Sequence, residues 1–318
     1  MTKLVSRVVL FGLVVLLSAC SVVDRPAPTP APTTVPRVKT SITVGGKLLF
    51  VRSGNIWTWD NGNLKQLTKG GSDTQPSWSP DGGAMAYVKR DESRSNIMVS
   101  NSANGFVRAL TNTQYWGGYS GWLFRPTWSP DGKKIAFLSD EGSYDLALWT
   151  MNADGTGRTR IASASQSGGL DSPTWSPDGK QIAMAGYRSA TSQVWVYTTA
   201  TGKWQQITKA GDGAYDPRWS PDGKRIVFVV RDVGKSYVWL MNADGENARQ
   251  LTSDGAARAP TWSFDGQFIA YISGAAGSGF DIWALKIDEV DGQLATSEPK
   301  QLTKISDVDP GAGLSWYK

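Results

Sequence analysis

A seven-residue motif, Pro-x-Trp-Ser-Pro-Asp-Gly, recurs at Pro76 to Gly82, Pro126 to Gly132, Pro173 to Gly179 and Pro217 to Gly223, and again at Pro260 to Gly266 with Phe264 in place of the second proline. A truncated sixth copy stands at Leu314-Ser315-Trp316. The six motif tryptophans, Trp78, Trp128, Trp175, Trp219, Trp262 and Trp316, are 50, 47, 44, 43 and 54 residues apart. That period is the length of one four-stranded propeller blade, and no window keeps a helical period.

Within a copy, each segment has a physical assignment. Pro217-Arg-Trp219 opens a first strand, and Ser-Pro-Asp-Gly turns the chain into a second. In such a turn proline presets φ, aspartate bonds the local backbone and glycine accepts positive φ. Tyr237-Val-Trp-Leu-Met241 is rich in bulky strand formers and ends in the hairpin Asn242-Ala-Asp-Gly245. Arg249-Gln-Leu-Thr252 closes the unit as a fourth strand. Aligned this way, Trp57, Trp149, Trp195, Trp239 and Trp283 share one third-strand position and read as packing residues. The last copy holds only a first strand, whereas residues 47–68 supply a second, third and fourth. The expected fold is all-β: a six-bladed propeller of four-stranded antiparallel blades, its C-terminal strand joining the N-terminal ones and leaving no open edge.

Three segments are expected. Residues 1–19 read as an export signal, with Lys3 and Arg7 ahead of an apolar run too short to span a bilayer as a mature helix. Leu17-Ser-Ala-Cys20 resembles a lipobox, which implies acylation of Cys20, the only cysteine, and a membrane-anchored extracytoplasmic lipoprotein. Ser21 points to the periplasmic face of the outer membrane or the cell surface under Gram-negative sorting rules. Residues 20–42 are a Pro/Thr/Ala tract suited to an extended tether, and 43–318 form the propeller. The formal charge of +5 falls to about +3 without Lys3 and Arg7, too mild and scattered for nucleic acid. A monomer is expected.

These copies closely resemble the repeat of the TolB-like propeller family, over roughly residues 45–318. The resemblance implies the propeller fold and a bias toward protein binding. TolB itself carries a mixed α/β domain ahead of its propeller; here the expectation is a lipid-anchored propeller lacking that domain. Similar repeats precede the hydrolase domain of prolyl-oligopeptidase-like peptidases, but no Gly-x-Ser-x-Gly elbow occurs here.

The chain contains no histidine, which removes Ser-His-Asp and Cys-His catalysis and histidine-based metal sites. The motif aspartates Asp81, Asp131, Asp178, Asp222 and Asp265 precede glycine directly, unlike a sialidase Asp box, and read as turn formers. Asp171, Asp212, Asp216, Asp307 and Asp309 precede first strands, and Asp140, Glu141 and Asp145 follow a second strand. Both loop classes are expected on one face, around the channel mouth. Asp212, Asp216, Asp307 and Asp309 are the weak calcium candidates, though none completes a calcium-loop pattern; no other cofactor is expected.

One connection stands out. The linkers from fourth strand to next motif have 7, 14, 10, 8, 7 and 6 residues, and the long one, 112–125, carries Tyr115, Trp116, Tyr119, Trp122 and Phe124 among three glycines. Such aromatics on loops are the usual anchors of recognition. With Arg125, Arg90, Arg188 and Arg231 they form the candidate partner surface for an envelope protein. A cell-wall polysaccharide stacking on the aromatics is the alternative ligand. A carboxylate- or metal-dependent hydrolase or lyase of envelope polymers is the enzymatic alternative.

Overall fold

The computed structural model describes residues 35–113, 121–141, 145–162, 169–187, 191–274, 277 and 279–318. Six antiparallel sheets radiate from a central channel, and among the described residues there is no helix. Blade 1 runs outward as Ser315–Tyr317, Lys47–Arg52, Asn55–Asp60 and Asn63–Gln66. Blades 2 to 5 are each continuous in sequence, with inner strands Asp73–Trp78, Leu123–Trp128, Leu170–Trp175 and Ala214–Trp219. Blade 6 begins with Ala257–Trp262. The expected closure is present: Lys47, Leu48 and Leu49 pair with Tyr317, Trp316 and Ser315.

The Pro-Asp-Gly turns are built identically. In all five, the motif serine donates to the aspartate at 2.6–2.7 Å, and the aspartate also accepts the amide two residues on. The serine hydroxyl in turn accepts the amide that starts the second strand, at 2.9 Å. The turn glycines hold φ of 67–71°, which an L side chain resists.

The outer edge is finished by a second repeated device. Thr68, Thr111, Thr208, Thr252 and Thr303, each following the fourth strand, accept a third-strand amide at 2.8–2.9 Å through Oγ1. A side chain thus replaces a backbone carbonyl where the fourth strand ends, so the amide is not orphaned.

The core lies between blades. Leu48, Phe50, Ile135, Phe137, Ile226 and Ile269 are fully buried. Burying each such side chain stabilises the fold by about 1.5–3 kcal/mol. The third-strand tryptophans do share one register position, opposite Gln66, Arg160, Gln206, Gln250 and Gln301.

Blade 6 departs from the repeat. Its third strand, Asp281–Val290, overshoots the blade and pairs with Gln293–Ser297, against which Arg37–Val38 lies parallel. Arg37 donates to the Ser297 and Leu251 carbonyls, and Ile42 and Val44 are buried against Leu48 and Phe50. Packed chain therefore extends ahead of residue 43, along the face that carries the Pro-Asp-Gly turns.

Candidate functional site

Each inner strand is bent at the residue before its proline. Gln75, Arg125, Ser172, Asp216 and Ala259 have φ of 48–54°, and Gly313 holds φ 81° at the corresponding place in blade 1, where no proline follows. The strand register slips at this point in blades 2 to 6. Proline lacks the amide a regular ladder needs, so the pair is bulged out. For a non-glycine residue this conformation costs about 1 kcal/mol or more.

Of these residues Gln75, Arg125 and Gly313 line the channel, and hydrogen bonds through the bulges link neighbouring blades. Gln75 Oε1 accepts the Arg125 amide at 2.8 Å, Arg125 Nε donates to Asp171 at 3.0 Å, and Ser172 Oγ donates to Asp216 at 2.7 Å. A belt of hydrogen bonds thus runs across blades 2 to 5. At blades 6 and 1 the equivalent residues are Ala259 and Gly313, which have no side chain to continue it.

The channel encloses a cavity of about 150 Å³ lined by Gln75, Arg125, Arg218 and Gly313, among others. Arg125 is 15 % exposed. Burial alone lowers its pKa, but Asp171, Asp216 and Asp309 outweigh that and leave it raised. For Arg218 burial wins: its pKa is lowered, with Arg125 adding to the effect against Asp216 and Asp171.

Around the mouth, the expected meeting of the two loop classes is present. Asp212 accepts the Val233 amide at 2.7 Å, and Asp140 accepts the Trp122 amide at 2.8 Å. Burial raises the pKa of Asp140 against that hydrogen bond. Two arginine–aromatic groups stand on this face. Exposed Arg90 lies over the Phe124 ring at 5.7 Å, and Phe124 stacks with Trp122 at 6.4 Å. Exposed Arg231 lies over the Tyr215 ring at 4.2 Å, next to Tyr187, which is 46 % exposed.

Of the residues singled out from sequence, Trp122, Phe124, Arg90 and Arg231 fall on the mouth. Arg125 does not join them: the bulge turns its side chain into the channel, toward Asp171. Cys20, Tyr115, Trp116, Tyr119 and Arg188 lie outside the described residues. The calcium candidates do not converge. Asp307 pairs with Arg52, Asp309 accepts the Gly311 amide, Asp212 holds a turn and Asp216 takes the Ser172 hydroxyl. Among the described residues, no three Asp, Glu, His or Cys side chains form a metal-binding group. Arg218 and the pre-proline belt were passed over. Their signal was positional: Arg218 is the one charged residue at x of Pro-x-Trp.

The architecture defines a closed six-bladed β-propeller with a polar, arginine-bearing channel. Its fold is that of TolB from Acinetobacter baumannii: TM-score 0.70, 20% identity, covering 85% of this chain and 66% of that one, so this chain spans just under two thirds of that TolB. A putative TolB from Agrobacterium tumefaciens matches with TM-score 0.65 and 15% identity, over 86% of this chain and 99% of that one. The tricorn protease matches with TM-score 0.61 and 16% identity, over 88% of this chain but 27% of the protease. A family profile described as the dipeptidyl peptidase IV (DPP IV) N-terminal region matches residues 176–261. No curated protein matches the sequence. The similarity to TolB-like propellers expected from the repeat thus holds at the level of fold.

Proposed function

We propose that this chain is a non-catalytic, lipid-anchored extracytoplasmic propeller that binds an envelope protein through its channel mouth. The observation that carries the reading is the pair of arginine–aromatic groups, Arg90 with Phe124 and Trp122, and Arg231 with Tyr215 and Tyr187, presented on one rigid face. Planar cations and aromatics that are partly exposed on a scaffold match the composition of binding hot spots. The aspartates of this face that the sequence suggested for metal or acid chemistry hold turns, amides and arginines instead.

Acylation of Cys20 supplies the anchor in this reading, and the proline-rich stretch supplies the spacer. The first packed residues lie on the Pro-Asp-Gly side of blade 6. An anchor upstream of them directs the mouth away from the membrane, toward a partner.

The test is crosslinking capture from native envelopes with wild type and a Trp122→Ala/Arg231→Ala variant. A protein retained by wild type and lost by the folded variant supports the reading; equal recovery by both overturns the assigned surface. Soluble cell-wall oligosaccharides are titrated in parallel. Saturable quenching of tryptophan emission, lost in the same variant, transfers the site to a polysaccharide ligand. Cys20→Ser is expected to move the protein from the membrane fraction to the soluble one.

A further inference from the structure

The residue between proline and tryptophan in each copy forms a second ring, one step deeper than the belt. Five of the six are hydroxyls, Ser77, Thr127, Thr174, Thr261 and Ser315, and the sixth is Arg218; all six line the same cavity. Hydroxyls serve as donors or acceptors as a ligand requires, whereas a guanidinium offers five donors and is always charged.

Arg218 is poorly compensated for such a place. Its Nη1 donates to the carbonyl of its neighbour Pro217 at 2.8 Å, and among the described residues it forms no ion pair. Asp171 is taken by Arg125, and Asp216 by the Ser172 hydroxyl. A charge held in a partly enclosed channel without a carboxylate in direct contact is costly, and an anion beside it recovers that cost.

The space for an anion lies where the belt is interrupted. A Cβ on Gly313 would stand 3.2 Å from Arg125 Nη1 and 3.8 Å from Arg218 Nη2, so both guanidinium ends approach one point beside the bare glycine backbone. The cavity of about 150 Å³ is of a size that elsewhere admits a benzene-sized molecule. Here the walls are polar.

We propose that the central channel binds a small free oxyanion, held by the Arg218 guanidinium and the ring of hydroxyls on the side of blades 6 and 1. Arg125 contributes through its free Nη1 end while Asp171 fixes its Nε. The proposal does not depend on the protein-binding reading, since it concerns the interior of the channel and uses none of the mouth aromatics.

The purified protein is titrated with sodium acetate, a planar oxyanion, and separately with sodium phosphate, a tetrahedral one, at ionic strength held constant with sodium chloride. Melting temperature and tryptophan emission are read. At least one oxyanion is expected to give a saturating rise in melting temperature above chloride, as a ligand of the native state does. Arg218→Thr, which installs the residue type of the other blades, is expected to weaken that binding about tenfold or more. Arg218→Gln, which keeps length and removes charge, gives the same loss if the threonine variant folds poorly, and Thr261→Val, on the blade 6 side of the cavity, gives a smaller one. The absence of a saturable rise with either oxyanion, or equal affinity in a folded Arg218 variant, overturns the proposal.

Discussion

Arg125 Nε donates to Asp171 at 3.0 Å across the boundary between blades 3 and 4. The arginine is held in a left-handed backbone conformation at φ 54°, so its direction into the channel is set by the strand bulge as well as by its charge.

Asp171→Asn is therefore expected to destabilise the ring by leaving the guanidinium without its counter-ion. Asp171 is 50 % exposed, so the loss is about 1–2 kcal/mol rather than that of a wholly buried pair. Urea unfolding midpoints of the two proteins give the difference.

Removal of residues 315–318 deletes the inner strand of blade 1 and frees the edge Lys47–Leu49. The truncated chain is expected to melt at lower temperature and to associate through that edge. Light scattering and size-exclusion chromatography at increasing concentration follow it.

Thr252→Val removes the acceptor of the Val238 amide in a buried position. A loss of about 1–3 kcal/mol is expected, with Thr252→Ser recovering most of it. Hydrogen exchange at the Val238 amide is expected to accelerate in the valine variant and not in the serine variant.

The turn aspartates set an acid limit. Hydrogen bonds from Ser79, Ser129 and Ser176 hold Asp81, Asp131 and Asp178 below the ordinary value of 3.8, and the Ser220 bond does the same for Asp222 against burial. A depressed folded pKa contributes stability that is present above about pH 4 and is lost as pH falls through the folded values. Denaturant midpoints between pH 2.5 and 7, on the order of one reading per half unit, are expected to fall on the acid side, less steeply in Ser176→Ala.

Much of the fold was legible because the same local chemistry recurs. Proline, aspartate and glycine mark the turns, a threonine ends the fourth strand in five of the six blades, and the lone Leu314-Ser315-Trp316 forecasts the closing strand. The candidate site was legible only at its rim, where Trp122, Phe124, Arg90 and Arg231 sit at or beside the mouth-side ends of strands. The interior escaped notice because strand alternation does not forecast a bulge. One extra residue before the proline redirects Gln75 and Arg125 into the channel and turns Ser172 toward Asp216 of the next blade. The docking of Arg37–Val38 was hidden for another reason: a Pro/Thr-rich stretch has no burial signal of its own, and its partner is Gln293–Ser297, a strand about 260 residues away that exists only because Asp281–Val290 overshoots its blade.

The seam between Lys47 and Tyr317 also governs when folding can finish. Its partners stand 270 residues apart, so the inner side of Lys47–Arg52 has no neighbour until all the other blades are available. Blades 2 to 5 can assemble as each emerges, being continuous in sequence, but the ring stays open until its final strand arrives. A chain cut short before Ser315 thus has nearly every blade complete and one adhesive side, the species that chaperones have to hold.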